Sequence, residues 1–365
     1  MRNYGVEAQV RAGKPASAES GYSNLLPASR LAAPSFFEQR GHHEAVLRHI
    51  IQGVLPLKFA YAGSAARAHD ALARSAGYQS VIGSVDDEVR ALLALGLSPE
   101  LCEDVIEIGP GNGEHSVLFL GAMAASGYPC RRYLGLDFSE TLLRISGRRI
   151  RIAFDKAITV KGEMWDIESG PSRCVDRWRV DRQPVLTCLF GNTLGNLECA
   201  AAALRHVHDS LLPDDVLVVG LTLRPPDDSA AQVLAPYRSS VFSAAVLEPL
   251  KAAGIDLNDI ELTIRYASGV VVGEVVFRRS VKVGETTVPA GHALRCFCSR
   301  RFTKDDVATL FDSTGWLIGN AALDSVGDHM VLTAYRGRSR CTAIDQADRI
   351  TATGGHHGWN HKYGR

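Results

Sequence analysis

The chain has 365 residues, of which 46% are hydrophobic and 22% charged, a balance typical of globular proteins. Basic and acidic residues each number 40, so no overall field would attract nucleic acid or anionic membrane. No apolar run is long enough to span a bilayer, and the N-terminus lacks the apolar segment of a secretory signal. Composition therefore predicts a globular, cytoplasmic protein that binds neither nucleic acid nor membrane.

Residues 1–45 are rich in Ala, Ser, Gly and Pro, a composition that predicts a flexible N-terminal segment. From residue 81 to 224, helical segments alternate with continuous apolar strand segments. The predicted strands read "DVIEIG", "RYLGLD", "AITVKGEM", "VLTCLFG" and "DVLVVGLTL". Such alternation indicates a mostly parallel sheet covered on both faces, which is a doubly wound α/β domain.

The pattern changes between residues 225 and 300. A helical stretch follows Pro225 and Pro226, and residues 259–302 then alternate like an antiparallel meander with glycine-rich turns. The helix "KDDVATLFDSTG" and a last strand, "DHMVLTAYR", return to the first domain at residues 301–338. The middle block is therefore predicted to be an inserted α+β domain, and residues 339–365 a flexible C-terminal tail.

Cysteine usage indicates a reducing compartment. The eight cysteines are scattered, without CxxC or Cys/His ligand spacing, so we expect no metal site. Cys296 and Cys298 flank Phe297 in the stretch "RCFCSRRF" (295–302), which could be a metal or redox site, a buried strand or an altered substrate pocket. In an alternating strand both thiols would share the face opposite Phe297, where a disulfide between them would be strained.

The segment "VIEIGPGNGEH" (105–115) is a buried strand that runs into Gly109, Gly111 and Gly113 and then a helix. Glycines let a ligand approach the backbone, and the helix N-terminus presents unpaired N–H groups. Alone, the motif fits NAD, FAD or S-adenosylmethionine (SAM), or a tight turn without a ligand.

Neighbouring residues favour SAM over a dinucleotide. Glu107 precedes the glycines, where its carboxylate can face a cationic amino group. Asp137 ends the next strand, in position to bind both ribose hydroxyls. Glu163 and Met164, after the third strand, are expected to hold the adenine. An antiparallel last strand in a mostly parallel sheet is also common in SAM-dependent methyltransferases.

A second candidate segment, "CLFGNTLGNL" (188–197), follows the fourth strand at the lip of the predicted sheet, where ligands of doubly wound folds bind. Gly191 would adjoin the cofactor, while Asn192 and Asn196 bring uncharged hydrogen-bonding groups to the substrate. The alternative is a helix entry capped by Asn196, and both can hold together.

"FGNTLGN" resembles the FxGSTxGN loop of the ergothioneine-pathway histidine Nα-methyltransferase family. "LPLKFAYAGSAARAHDALARSAGY" (55–78) is similar to that family's LPxKxFYDxxGSxLFDxIxxLPEYY segment, with Tyr61, Asp70 and Tyr78 at matching positions. Gly63 and Ser64 are displaced by two places. "ALRCFCSRRF…FDSTGW…LDSVGDHMVLTAY" resembles the C-terminal run that begins TExSxKY. The similarity extends from about residue 50 to 336.

The resemblance implies a Rossmann-like methyltransferase whose substrate domain includes a helical part at residues 46–80. Tyr61 and Tyr78 would line the substrate site, and either could accept the proton of the attacking amine. Asn196 would bind the substrate's α-amino or carboxylate group, and Tyr237 would reach it from the insertion. Glu107, Gly109, Gly111, Asp137, Glu163 and Met164 would hold SAM.

The chain departs from the family where the TExSxKY run carries a glutamate and a serine that grip the imidazole of histidine. Aligned on Arg301-Phe302, Ser299 takes the serine's place and Phe297 the glutamate's. A phenylalanine cannot make the charge-assisted hydrogen bond of a carboxylate. We therefore expect a substrate pocket that does not favour imidazole and accepts an apolar or aromatic group.

The sequence thus predicts methyl transfer from SAM, with S-adenosylhomocysteine (SAH) as product, to a nitrogen of a small amino-acid-like substrate other than histidine. One alternative is methylation of a side-chain nitrogen or an oxygen, or another SAM-derived transfer. A second is a catalytically inactive SAM-binding partner subunit. The sequence leaves open whether the protein is a monomer or a homodimer.

Overall fold

The structure is a computed structural model that describes residues 40–75, 85–94, 96–227 and 229–336. Tyr78, the predicted tail at 339–365 and most of the predicted N-terminal segment lie outside these residues. No helix in the described ranges is long and apolar enough to cross a membrane.

Twelve strands occur in the described chain. They are β1 (Asp104–Ile108), β2 (Arg132–Asp137), β3 (Thr159–Met164), β4 (Leu186–Leu189), β5 (Val216–Thr222), β6 (Ile260–Ala267), β7 (Val270–Phe277), β8 (Val281–Val283), β9 (Thr286–Val288), β10 (Ala293–Arg300), β11 (Trp316–Leu323) and β12 (His329–Arg336).

Ten α-helices occur in the same ranges. They are α1 (Arg40–Gln52), α2 (Ser64–Ala73), α3 (Val85–Ala94), α4 (Glu114–Ala125), α5 (Glu140–Phe154), α6 (Cys174–Trp178), α7 (Ala200–Ser210), α8 (Ala230–Leu234), α9 (Ser240–Ala252) and α10 (Lys304–Asp312).

The central sheet has seven strands in the order β3-β2-β1-β4-β5-β12-β11. Strands β1 to β5 run parallel, whereas β12 is antiparallel to both of its neighbours. The predicted doubly wound, mostly parallel α/β sheet is confirmed. Strand order reverses between β1 and β4, which is where such sheets open a crevice for ligands.

Strand β11 was not among the predicted elements. Its sequence, "WLIGNAAL", contains glycine, asparagine and alanines, which are depleted in strands. The register also shifts between Ile318 and Asn320. At Gly319 any side chain would collide with the ring of Tyr335, since a Cβ there would lie 2.2 Å from it. Residues 316–323 thus form a strand because they pack against β12, although their own strand propensity is low.

Both faces of the inner parallel strands β1, β2, β4 and β5 are buried, because their residues are mostly apolar at consecutive positions, whereas the edge strand β3 has no buried residue. Ile106 and Leu217 pack in a core with α7 and α10, whereas their neighbours Val105 and Val218 pack in a second core with α3 and α4. Alternate side chains of a strand point to opposite faces, so a continuous apolar run supplies both cores.

The segment between β5 and α10 forms α8, α9, a three-stranded antiparallel sheet in the order β10-β7-β6, and the β8–β9 hairpin. The N-terminal helices join it. The backbone N–H of Leu55 donates to Arg295 O at 2.8 Å, and the Ser64 hydroxyl donates to Glu248 Oε1 at 2.9 Å. Their buried side chains share one core. The predicted domain limits remain predictions.

Helix α1 begins at Arg40, inside the range predicted to be a flexible segment. Val46 and Ile50 are fully buried on this helix and pack against the core of the inserted segment. These helical residues follow directly on a stretch rich in Ala, Ser, Gly and Pro, so the composition of residues 1–45 as a whole does not reveal them.

Candidate active site

A cavity lies at the carboxyl ends of β1, β2 and β4, at the point where strand order reverses. The glycine loop after β1 forms its floor, and the loops after β2, β3 and β4 form its sides. Residues from the N-terminal helical segment cover it, namely Lys58, Tyr61, His69 and Ala73. The cavity therefore lies between the central sheet and residues 58–73 of the N-terminal helical segment.

The glycine loop is a backbone cradle. Gly109 and Gly113 have φ angles of +73° and +79°, which L-residues rarely adopt. A Cβ on Gly113 would lie 2.6 Å from the Cα of Ser146, and one on Gly109 would lie 3.2 Å from Thr193 Cγ2. Gly109 and Gly111 line the cavity, so the backbone itself is the surface that a ligand meets there.

Asp137 ends β2 at the edge of the cavity. Its side chain is nearly buried, and Oδ1 accepts the backbone N–H of Ser139 at 2.8 Å. This hydrogen bond fixes the carboxylate at the cavity wall, in the position that a ribose-binding acid takes in doubly wound folds.

Glu107 lines the cavity from β1 and is only 3% exposed. The Tyr133 hydroxyl donates to Glu107 Oε2 at 2.8 Å. Burial raises the pKa of Glu107, and the nearby His115 opposes that shift. The carboxyl group is therefore held by the protein at the base of the glycine loop.

Two histidines and Glu88 form a buried network beside the loop, which sequence reasoning missed. Glu88, fully buried on α3, has Oε2 2.7 Å from His115 Nε2 and Oε1 3.2 Å from His329 Nε2. Burial acts to lower the pKa of His115, but the Glu88 carboxylate outweighs it and the pKa is raised. Burial acts to raise the pKa of Glu88, but the histidines lower it. No sequence motif joins these three distant residues.

Glu163 and Met164 do not line the cavity, although both were predicted to hold the adenine. Both lie within β3, and Glu163 pairs with Arg177 and, at 3.4 Å, with Lys161. Trp165, Asp166 and Ile167, which directly follow the strand, line the cavity instead. An acid two residues after a strand end was the signal available for Asp166.

The loop after β4 divides between cavity and core. Gly191, Thr193 and Asn196 line the cavity. Asn192 does not; it is buried, and its Nδ2 donates to Ser299 Oγ at 3.3 Å and to Arg300 O at 3.0 Å. Its Oδ1 accepts the N–H of Thr222 at 3.2 Å. Asn192 and Ser299 thus bind each other and tie this loop to β5 and β10.

Phe297 and Tyr237 also lie outside the residues that line the cavity. Their ring centroids are 5.4 Å apart, and Phe242 packs edge-on against both at 5.0 and 5.1 Å. All three rings are buried, with Phe297 at 6% exposure. We call these three residues the aromatic cluster. It fills the region in which the resemblance placed a substrate-binding carboxylate.

In "RCFCSRRF", the strand does not alternate as predicted, because β10 has a bulge between Arg295 and Phe297. Cys296 is therefore unpaired in the ladder and packs, like Phe297, in the core of the insertion. Both Cys296 and Cys298 are free and buried, and burial raises the pKa of Cys296 to about 12. The described residues contain no group of three or more His, Cys, Asp or Glu placed to hold a metal.

Carboxylates outnumber cations in the cavity wall. Glu107, Asp137, Asp166 and Glu168 line it, against Lys58 and His115. Lys58 Nζ lies 2.7 Å from Asp166 Oδ2 and 3.4 Å from Glu168 Oε2. Such a wall suits a ligand that carries positive charge, as a sulfonium or an amine does.

The sequence profile of the family described as "Histidine-specific methyltransferase, SAM-dependent" matches residues 87–334, which is more than half of the chain. This chain belongs to that family. The match confirms the family resemblance and makes the protein a SAM-dependent methyltransferase. It begins after the segment that carries Tyr61 and His69. No curated protein matches the chain in sequence.

Solved structures of SAM-dependent methyltransferases are similar to this chain in fold. One is a methyltransferase from Clostridium acetobutylicum ATCC 824, with 10% identity over 70% of this chain and 93% of that chain, at a TM-score of 0.40. Another is the SAH-bound magnesium protoporphyrin IX methyltransferase from Synechocystis PCC 6803, with 14% identity over 76% and 96% of the chains and a TM-score of 0.40. The glycopeptide N-methyltransferase MtfA has 12% identity over 82% and 100%, with a TM-score of 0.39.

The cavity of this SAM-dependent methyltransferase has the features that SAM requires. Gly109 and Gly111 line the cavity without a side chain, so a ligand can approach their backbone closely. Asp137 is held at the cavity edge, and the acidic wall suits the sulfonium charge. Gly109, Gly111, Asp137 and Glu107 are the residues that would hold it.

Proposed function

We propose that this enzyme methylates the α-amino nitrogen of a small amino acid, or of a substrate derived from one, other than histidine, in specialised metabolism. The observation that carries the proposal is the burial of Phe297 in the aromatic cluster. Where the related pattern has a glutamate, this chain has a packed ring, so no carboxylate meets an imidazole there.

The cavity supports an amine substrate. Beyond the glycine loop its wall presents the Tyr61 ring and the Asn196 side chain, which provide a hydroxyl and an amide. The surplus of carboxylates lining the cavity favours a protonated amine over an anion. We also propose that residues 46–80 and 225–300 together form the substrate-binding domain.

Methyl transfer requires little acid–base catalysis by the protein. When bound, SAM supplies a methyl group on a positively charged sulfur, which is a strong leaving group. The chain must hold the amine nitrogen in line and remove one of its protons, because a protonated amine has no lone pair to attack with. Asn196 would orient the substrate's amino or carboxylate group, and Tyr61 Oη would accept a hydrogen bond from the amine. The proton would leave through that hydroxyl or a water.

The test is mass spectrometry of the purified full-length protein with methyl-labelled SAM and a panel of free amino acids, including histidine and tryptophan. We expect label on the amino nitrogen of an aromatic or aliphatic acceptor. Label on histidine alone would contradict the proposal. Binding of SAH without label on any amine would contradict it too, and would favour a specialised non-amine acceptor or a non-catalytic subunit.

A further inference from the structure

His69 is a polar residue in the cavity wall that no predicted role includes. It lies on α2 beside the glycine loop, where a Cβ on Gly111 would lie 3.8 Å from its Nε2. Its ring packs edge-on against Tyr61, with the centroids 4.7 Å apart. One imidazole nitrogen therefore faces the loop and cavity, next to the tyrosine proposed to meet the substrate.

The neighbouring residue fixes this position. Asp70 Oδ1 accepts from Asn112 Nδ2 at 3.1 Å and lies 2.9 Å from Arg149 Nη2, and its Oδ2 lies 2.9 Å from Arg74 Nη2. Asn112 belongs to the glycine loop and Arg149 to α5. Asp70 thus fixes α2 to the glycine loop and to α5, and this holds the adjacent His69 imidazole in place at the cavity wall.

The imidazole is uncharged at neutral pH. His69 is partly open to the cavity, but protein atoms surround it otherwise, and this burial lowers its pKa to about 4 despite the nearby Asp70 carboxylate. A neutral imidazole offers one donor and one acceptor. It can therefore bind an amine or hydroxyl without repelling a cationic ligand in the same cavity.

The substitution pattern agrees with a change in substrate recognition. Since Tyr61 and Asp70 fall at matching positions of the family segment, His69 replaces the phenylalanine in its "LFD". At Phe297 the change runs the opposite way, from a polar residue to an apolar one. The chain has gained a hydrogen-bonding group on one side of the substrate domain and lost one on the other.

We propose that His69 determines acceptor specificity, through a hydrogen bond between its imidazole and a polar group of the substrate beside Tyr61. This inference rests on the proposed function, because it requires a small polar acceptor in the cavity.

The experiment compares wild-type protein with His69→Phe, which restores the family residue, and His69→Gln, which keeps a donor and an acceptor. Arg67→Gln, at an exposed position of the same helix, is the matched control. Steady-state kinetics use the amine that wild-type protein methylates best, and calorimetry measures SAH affinity. We expect His69→Phe to raise KM for the amine about tenfold, the value of one lost hydrogen bond, with kcat and SAH affinity nearly unchanged. His69→Gln should restore part of the loss.

An unchanged KM in both variants would overturn the inference while leaving the proposed function intact. Weakened SAH binding with an unchanged amine KM would also overturn it, by assigning His69 to the cofactor. If His69→Phe does not fold, His69→Leu, which also lacks hydrogen-bonding atoms, takes its place: a KM for the amine equal to that of wild type would contradict the role. Failure of wild-type protein to methylate any amine would instead refute the proposed function, and this inference with it.

Discussion

Two parts of the cavity are built in different ways. We call the glycine loop and Asp137 the cofactor side, and the part lined by Tyr61, His69 and Asn196 the substrate side. On the cofactor side, backbone geometry forms the wall, as with Gly109 and Gly113 at positive φ and Asp137 at a strand end. On the proposed substrate side, the side chains of Tyr61, His69 and Asn196 form the wall, and the aromatic cluster belongs to the core against which Tyr61 packs. The difference predicts that substitutions on the cofactor side act through backbone strain, whereas substitutions on the substrate side act through single side-chain contacts.

The largest effect is expected from Gly113→Ala, which attacks the backbone cradle. Its Cβ would lie 2.6 Å from a helix backbone atom, at a φ of +79°. Strain and overpacking together predict a loss of about 4 kcal/mol in the free energy of unfolding. Chemical denaturation measures it. Gly127→Ala is the control, since Gly127 also has a positive φ, +87°, but no atom within 4 Å of the new Cβ; it should lose about 1 kcal/mol. Equal losses would show that the cradle is not tightly packed.

Next in size is Glu88→Gln, which removes the buried charge behind the cradle. Loss of one partner of a buried pair predicts a destabilisation of about 3 kcal/mol. The pKa of Glu88 is lowered, so its contribution is lost as pH falls below its ordinary value of 4.5. The pKa of His115 is raised, so its contribution is present below 6.5 and is lost as pH rises through the raised pKa. The difference from wild type should be greatest between those values.

Thermal denaturation across that pH range tests this prediction. Glu44→Gln, at an exposed position of α1, is the control and should change stability by less than about 0.5 kcal/mol at every pH. A Glu88 variant as stable as this control would mean that the network contributes nothing.

Asp137→Asn should weaken SAH binding about 30-fold, the equivalent of about 2 kcal/mol for a hydrogen bond to a charged group. The amide keeps an oxygen for the Ser139 N–H, so the local turn should survive. Calorimetry with SAH measures the change, and Asp176→Asn on the exposed side of α6 serves as control. Unaltered affinity would remove Asp137 from the cofactor site.

The smallest effect is expected from Phe297→Leu, which probes the substrate side. Loss of two aromatic contacts should destabilise the protein by about 1.5 kcal/mol. Because the aromatic cluster does not line the cavity, SAH affinity should stay within about twofold of wild type. A large loss of SAH affinity would show that the two sides are coupled, which would break the comparison.

The position of the glycine loop and of Asp137 could be predicted from sequence, because strand periodicity and glycine spacing dictate where strand ends and loops lie; their contacts with SAM stay a prediction. The cavity accordingly brings together Glu107, Gly109, Gly111 and Asp137. Glu163 and Met164 were predicted to follow the third strand and hold the adenine, but both lie within β3, and the cavity is lined by the residues just after it. The end of a strand is poorly marked in sequence.

The substrate side was harder to predict, since side-chain placement there depends on tertiary packing. The bulge at Cys296 breaks the alternation that was predicted to put Cys296 and Cys298 on the face opposite Phe297. Asn192 looked like a substrate ligand but binds Ser299 and Arg300 instead. His69 was missed because a single histidine on a short helix carries no periodic signal, and only the fold brings it over the glycine loop.

The most direct test of the altered substrate side is a competition. Purified protein would receive limiting methyl-labelled SAM with equal concentrations of histidine and of the best other amine from the panel, and mass spectrometry would count the label on each. Loss of the carboxylate at position 297 predicts at least about tenfold more label on the other amine. Label mainly on histidine would contradict the claim that this family member has changed its acceptor.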